Sequence, residues 1–560
     1  MVKKFLNLFY HEFSGLHQAA LLLGLATITS QFLGLWRDRL LAGTFGAGRE
    51  LDIYYTAFRI PDIIFVSLVT FVSAAVLIPF ILEKRAKNNQ SEVQYFLSSV
   101  LTFFFGALIL VSLLTFFLMP VFIPVIAPGF SDLEKLELLK LSRILLLSPI
   151  LLGLSNFLGG IVQAFKKFFA YTLSPIFYNL GIIVGIIYFY PLWGLKGLAW
   201  GVILGAFAHL LIQIPSVLST GLWPRIITHP SWLEVKPVSL IALPRVIALS
   251  AYQITILILV ALASLGESGF ITVFNLGYNL QSIPLIVIGS SYSVAAFPTL
   301  AALFSGGSQK EFINQLINTA RHIIFWSLPA TFLFIVLRAQ IVRVILGSGN
   351  FSWSDTRLTA AILACFIFSV FAQSLVVLFT RAYYAAGQTS KPLLVNVFSS
   401  LFIITTSFLF FFVLRTYPFT QNILSNIFRL SGLADISVLA FPLAFSLGMI
   451  INLLLLGWLF ERDFGNIFSR IKKSFYQSFS AGFVAGFSSY ISLNILATFL
   501  NIKTFIGIFS QGLIAGLIGI ACGSLTFYLL DNKEFFDILN SLQSRFWKNK
   551  LIAGVEQDSL

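Results

Sequence analysis

The chain has 560 residues, 58% of them hydrophobic and only 10% charged, with 36 Lys and Arg against 22 Asp and Glu for a formal charge of +14. A soluble domain carries about 25% charged residues, so composition excludes a soluble globular protein. The Lys and Arg are scattered through short connections and the tail, without a basic domain, which excludes nucleic acid as the reason for the positive balance.

A mean hydropathy of +0.92 points to an integral membrane protein, in which each spanning helix needs about 20 mostly apolar residues to satisfy its own backbone. The N-terminal MVKKFLNLFYHEF starts basic and lacks a small-residue cleavage site after the apolar run that follows, so it reads as an uncleaved first span. Apolar stretches then predict spans at 17–36, 53–82, 96–126, 138–165, 168–190, 197–222, 239–264, 270–301, 314–346, 357–386, 392–414, 434–460, 474–500 and 504–530. That is an all-α polytopic membrane protein of about fourteen transmembrane helices. The even count puts both termini on one side.

Loop charge says which side. Lys3 and Lys4, the 83–87 EKRAK loop, Lys166, Lys167, Arg225, Lys236, Lys310, Lys391, Arg470, Lys472, Lys473 and the tail cations Lys533, Arg545, Lys548 and Lys550 share it. The opposite loops are poorer in Lys and Arg, and PGFSDLEKLE is acid-rich, so both termini are predicted to be cytoplasmic. After Asp531, Phe535, Phe536, Ile538, Leu539, Leu542, Phe546 and Trp547 recur at helical spacing, which predicts an amphipathic tail on the membrane surface. Cys365 and Cys522 sit singly in apolar runs and read as packing residues. His209 and His322 read as hydrogen-bonded packing residues as well.

Self-comparison shows an internal duplication at an offset of about 220 residues. Pro61 pairs with Pro284, Pro79 with Pro298, Pro175 with Pro392 and Asn179 with Asn396. Six spans per repeat is an even number, so the halves share orientation, and these Pro and Asn positions are candidate repeat and hinge residues. The expected organisation is a lobe at 1–223 (spans 1–6), a second at 224–463 (spans 7–12), two extra spans at 464–531 and the cytoplasmic tail at 532–560. Two parallel six-helix lobes place a cavity between them at mid-membrane, where alternating-access transporters bind substrate.

Eight charged side chains crowd into residues 37–62, RDRLLAGTFGAGRELDIYYTAFRIPD. The order Arg37-Asp38, Phe45-Gly46-Ala47-Gly48, Asp52, Tyr54-Tyr55 and Phe58-Arg59-Ile60-Pro61 resembles the MurJ/MviN family, the lipid II flippases of bacterial cell-wall synthesis within the multidrug/oligosaccharidyl-lipid/polysaccharide exporter superfamily. APGF at 127–130, AFPTL at 296–300 and the span count are similar to that family too. The resemblance implies a monomer in the bacterial inner membrane, with the cell-wall synthesis machinery as a further contact. Two lobes would move an undecaprenyl-pyrophosphate-linked peptidoglycan precursor from the inner to the outer leaflet by alternating access, and the last two spans would form a groove for its lipid tail. It makes Arg37 a substrate contact, since guanidinium grips phosphate oxygens bidentately. Asp38 and Asp52 become gating or orienting residues, and Gly46 and Gly48 the turn that lets a gate close. Asp52 and Arg59 are expected to share one polar, positively charged cavity with Arg37, whereas Arg39, Arg49 and Glu50 read as a solvated loop.

Departures from the family pattern matter as well. Gln31, Phe65 and Tyr278 stand where the family carries cavity arginines. Arg59, Arg245 and Arg143 are the basic residues available to compensate, and Arg143 and Arg245 have snorkelling to an interface as the alternative. Gln31 is retained as a candidate substrate contact by position. The seventh span lacks Asp and Glu and the eleventh offers Asn396, Ser400 and Thr405, so a family-type sodium site is in doubt and the coupling ion is left open. No cofactor or metal is expected. Without HExxH, GxSxG or a Walker loop, an enzyme is not indicated. Three other readings stand beside the flippase: an exporter of another polyprenyl-linked saccharide, a cation-coupled exporter of small molecules on the same scaffold, and a non-transporting scaffold or regulatory paralogue that has lost the cavity arginines.

Overall fold

Long apolar runs with no aqueous partner for their backbone must close their hydrogen bonds locally, and helices follow each other through the whole of the computed structural model, which describes residues 16–86, 90–465, 467–501 and 504–541. Span 1 is Leu16–Phe45. Span 2 comprises Arg49–Ala57, Arg59–Val69 and Ala74–Ala86; span 3 is Gln90–Ile126; span 4 joins Asp132–Leu145 to Leu147–Ala164. Span 5, Phe168–Val184, continues through a π-turn at Gly185–Phe189, and span 6 is Leu195–Leu211. In the second half, span 7 is Trp232–Ser264 and span 8 is Phe270–Pro284 followed by a π-turn, Leu285–Ser290, and Ser291–Ser305. Span 9 is Gln309–Leu346, and span 10 joins Trp353–Ile367 to Val370–Ala385 with a 42° bend. Spans 11 to 14 are Ser390–Thr416, Ala440–Phe464, Phe468–Phe499 and Phe505–Leu529.

Twelve of these helices are long and apolar enough to cross a membrane, thirteen with the bent pair counted as one. Leu16–Phe45, 30 residues long, occupies the place of the first expected span.

Local chemistry explains the punctuation. Ser131 and Glu134 form a capping box that starts span 4, and Ser352 with Asp355 does the same for span 10. Pro61 has no N–H for the Ala57 carbonyl, and the first segment of span 2 ends at Ala57. Pro284 closes the α-helical part of span 8 just before its π-turn. Pro175 lies inside span 5, whereas Pro392 sits in the first turn of span 11, where a missing N–H is harmless.

Spans 1 to 6 pack chiefly among themselves and spans 8 to 12 likewise, span 7 packs on spans 2 and 3 as well as on span 11, and spans 13 and 14 pair with each other against span 9. Spans 5 and 6 meet backbone to backbone: a Cβ on Gly181 would fall 2.2 Å from the Gly205 Cα, and one on Gly185 2.6 Å from the Gly201 Cα. Small residues four apart permit this close helix contact inside a membrane. Contacts between the two groups run from span 7 to spans 2 and 3, from span 2 to span 8, and from span 1 to span 9.

The tail differs from its expectation. Phe535 and Ile538 pack on Phe325, Ala481 and Phe527, and Glu534 lies 3.9 Å from Arg321, so the first turns after span 14 dock on the bundle and not on lipid alone. Leu542, Arg545, Phe546, Trp547, Lys548 and Lys550 lie outside the described residues, as do Lys3 and Lys4.

Candidate functional site

Two helical faces converge between the groups. Tyr54, Tyr55, Phe58, Arg59 and Asp62 of span 2 face Phe274, Asn275, Tyr278 and Asn279 of span 8 across a cavity of about 280 Å³, completed by Arg37, Tyr178 and Tyr252. The spacings i, i+4 and i+8 on span 2 and i, i+4 on span 8 are those of a single face. Arg37 precedes the end of span 1 by eight residues and Tyr278 follows the start of span 8 by eight. At 1.5 Å per residue that is about 12 Å below the helix ends, near the middle of a core about 30 Å thick.

Arg37 is fully engaged. Its Nε and Nη2 donate to Asp38 Oδ1 at 3.0 and 2.8 Å, and its Nη1 donates to Asn179 Oδ1 at 3.0 Å. Asn279 of span 8 donates to Asp38 Oδ2 at 3.0 Å. The chain Asn179–Arg37–Asp38–Asn279 therefore stitches spans 5, 1 and 8 together. Asp38 is buried within it and orients the guanidinium.

Arg59 is different. Its Nη2 donates to Asn275 Oδ1, and its Nε is buried without a hydrogen-bond partner. The Tyr55 hydroxyl is also buried and unpartnered. An unmet donor in a membrane interior is costly, so Arg59 and Tyr55 are the groups of this cavity best placed to receive an anionic ligand. Tyr278, standing at an expected arginine position, instead hydrogen-bonds the Tyr252 hydroxyl. With Asp38 and Asp62 beside Arg37 and Arg59, the formal charges sum to zero, which corrects the expectation of a positively charged chamber.

Asp52 is fully buried and does not line the cavity, contrary to expectation. Its Oδ2 accepts from the Gly269 N–H at 2.7 Å, and its Oδ1 accepts from the Thr272 N–H and hydroxyl, both at 2.8 Å. The N-cap of span 8 is a glycine with no side chain to offer, and a carboxylate from span 2 takes its place at the positive end of the helix. Arg49 supports it from 3.8 Å while lying 3.1 Å from Glu134 and over the Phe130 ring.

Around Asp52 the two groups seal on the face away from the termini. The Asn350 N–H donates to Gly43 O at 2.8 Å, and its side chain donates to Thr44 O at 2.7 Å. Gly46 has φ +67°, and a Cβ there would stand 2.7 Å from Asn350 O; Gly349, at φ +52°, would meet Gly43 O at 2.2 Å. Gly48 is extended, at φ −131°, with nothing closer than 3.5 Å to an added Cβ, so neither turn nor contact requires glycine there. Arg39 donates to Val344 O at 2.6 Å and Ile345 O at 3.2 Å, capping span 9, and Glu50 accepts from the Tyr190 hydroxyl at 3.1 Å. Of the residues read as a solvated loop, Arg39 thus joins the two groups, whereas Arg49 and Glu50 bond to span 4 and to the end of span 5 within their own group.

The remaining candidates lie elsewhere. Gln31 is half-buried on span 1, outside the cavity lining, and Phe65 packs against the hydrophobic core. Arg245 is exposed near the middle of span 7, seven residues or about 10 Å before the cavity residue Tyr252, and does not line the cavity. Arg143 lies over the Phe116 ring at 4.6 Å, donating to Phe116 O. Asn396 does not mirror Asn179: it accepts from Asn452 at 2.9 Å within its own group. His209 shares a 2.7 Å hydrogen bond with Ser155, and His322 stacks on Tyr292. Among the described residues no three His, Cys, Asp or Glu side chains gather as metal ligands do.

Comparison with known proteins places this geometry. The chain matches, over residues 41–509, the family model described as "Lipid II flippase MurJ". It is 29% identical over 385 residues to a probable lipid II flippase MurJ of Buchnera aphidicola, covering 67% of this chain and 75% of that one. It is 28% identical over 383 residues to one of Rhizobium tropici, covering 66% and 71%. Its fold is similar to a lipid II flippase MurJ in an inward closed conformation, with TM-score 0.69, 22% identity, and 91% of this chain and all of that one covered. An inward-facing multidrug resistance MATE transporter of the MOP superfamily follows at TM-score 0.61 and 13% identity, covering 79% and 96%. This chain belongs to the MurJ lipid II flippase family.

Proposed function

We propose that the chain carries lipid II from the inner to the outer leaflet of the bacterial plasma membrane, with its termini in the cytoplasm. The observation that supports this most is the mid-membrane cavity in which Arg59 keeps unmet donors beneath a sealed far face. Lobes 1–223 and 224–463 alternate their opening, and spans 13 and 14 guide the polyprenyl tail while the head group passes inside. At about 280 Å³, the cavity is below the range of about 300–1,000 Å³ that holds drug-sized ligands. It has room for the pyrophosphate and not for a disaccharide pentapeptide, so the state described is contracted and the lobes separate on the cytoplasmic side to admit the head group. The test is rescue of growth in a bacterium depleted of its own lipid II flippase. Rescue is expected, and failure despite confirmed membrane insertion counts against this cargo.

A second expectation concerns that separation. Just to the cytoplasmic side of the cavity, the Ser67 hydroxyl of span 2 and the Ser250 hydroxyl of span 7 are 2.7 Å apart. A Ser67→Cys/Ser250→Cys pair is expected to form a disulfide on oxidation and to stop transport reversibly. Transport that persists in the cross-linked protein would mean these spans do not part during the cycle.

A further inference from the structure

The turn joining spans 5 and 6 carries a cation that no carboxylate meets. Lys196, the second residue of span 6, is exposed, and among the described residues it makes no ion pair. On the same face Arg49 has Glu134 and Lys135 has Asp132.

Contacts within the lobe fix the level of this turn. Six residues before Lys196, the Tyr190 hydroxyl donates to Glu50, in the first turn of span 2, at 3.1 Å, and the Tyr190 ring meets Phe45, the last residue of span 1, edge-on at 4.6 Å. Residues 193–196 therefore stand at the far-face tips of spans 1 and 2. Trp193 is exposed there, in the place that tryptophan takes at a membrane–water interface.

Below Lys196 runs an apolar groove of about 810 Å³. Trp200, Leu204 and Phe207 follow Lys196 at i+4, i+8 and i+11 along one face of span 6, and Phe189 and Trp193, with rings 5.2 Å apart, line the groove from the end of span 5. From Lys196 to Phe207 is about 16 Å at 1.5 Å per residue, half of a hydrocarbon core about 30 Å thick. A spanning helix from a partner would need a groove through both leaflets, whereas a lipid chain needs one.

We propose that this groove holds an acyl chain of an anionic phospholipid in the leaflet on the far face, with the lipid phosphate on the Lys196 ammonium. A chain seated there packs against fixed aromatic surface, and the ammonium attracts the phosphate more strongly at the edge of a low-dielectric core than in water. A zwitterionic headgroup brings its own cation to the same place and loses most of that attraction. The site lies in the first lobe, apart from the central cavity and from spans 13 and 14, and does not depend on which cargo the cavity carries.

The full-length protein, purified in detergent, is incubated with phosphatidylglycerol or phosphatidylcholine and analysed by native mass spectrometry. Preferential retention of phosphatidylglycerol is expected. Lys196→Gln should weaken that preference roughly fivefold, the equivalent of about 1 kcal/mol for one basic residue at an anionic surface, and Lys196→Arg should keep it. Leu204→Trp fills the groove from an exposed position and should remove one bound phosphatidylglycerol with Lys196 intact. Leu211→Trp, exposed two turns further along span 6 and outside the groove, should remove none, and Lys310→Gln, an exposed cation at the opposite end of the molecule, should leave the preference unchanged. The proposal is overturned if the native chain shows no preference, if Lys196→Gln keeps it in full, or if Leu204→Trp retains as much phosphatidylglycerol as the native chain.

Discussion

Arg59→Gln is expected to insert and fold normally yet fail to support growth in place of the depleted flippase. The reason is the contrast between the two cavity arginines. Arg37 has its fork closed by Asp38 and Asn179, whereas Arg59 leaves Nε buried and unbonded. A charge-assisted hydrogen bond contributes about 1.5–3 kcal/mol, so loss of the Arg59 contact should slow translocation by roughly 10- to 150-fold at 1.4 kcal/mol per decade. Arg59→Lys retains the charge without the fork and should fall between. Arg37→Gln should behave differently, because it leaves Asp38 buried beside an empty place, and breaking a buried pair costs about 3–5 kcal/mol. Lower protein levels, partly restored by adding Asp38→Asn, are its expected signature. Lipid II flipping in vesicles, measured with folded-protein yield, separates the two outcomes. Full activity in Arg59→Gln would remove this residue from the substrate site.

Asp52→Ala is expected to unseal the far face. The carboxylate satisfies two N–H groups and a hydroxyl at the start of span 8, and deleting a helix cap costs about 0.5–2 kcal/mol. Because the cap belongs to one lobe and the helix to the other, that energy is lost only from the state in which the far face is closed. The balance between closed and open far face should therefore shift by roughly 2- to 30-fold toward open, at 1.4 kcal/mol per tenfold. Hydrogen exchange at residues 269–273 should accelerate, and Asn279→Cys should become reactive toward a membrane-impermeant thiol reagent added from that face. Asp52→Asn keeps one acceptor oxygen and should show a smaller change. Unaltered exchange in Asp52→Ala would show that the seal rests on the glycine contacts alone.

The span pattern was legible because a helix in lipid advertises itself through length and apolarity: the expected boundaries at 96–126, 270–301 and 314–346 fall inside Gln90–Ile126, Phe270–Ser305 and Gln309–Leu346. Arg37 and Arg59 were legible as cavity residues because charge within a span needs a polar surrounding. The target of Asp52 was not, since it bonds mainly to backbone amides of Gly269 and Thr272, which every sequence possesses. The role of Arg39 escaped for the same reason, its acceptors being the carbonyls of Val344 and Ile345. The tyrosines and asparagines of the cavity carried a readable signal in their shared helical face at 54, 55, 58, 59 and 62 and at 274, 275, 278 and 279, but the neutral balance set by Asp38 and Asp62 needed coordinates.

The glycine seam between spans 5 and 6 bears on how force travels. Backbones already in van der Waals contact at Gly181–Gly205 and Gly185–Gly201 leave no slack for sliding, so the pair acts as a splint and tilts as one piece. Asn179 rides on that splint and holds the guanidinium of Arg37. A rocking step that tips spans 5 and 6 thus tugs directly on the cavity, and a single methyl group wedged into the seam, as in Gly201→Ala, would loosen the linkage without touching any polar atom.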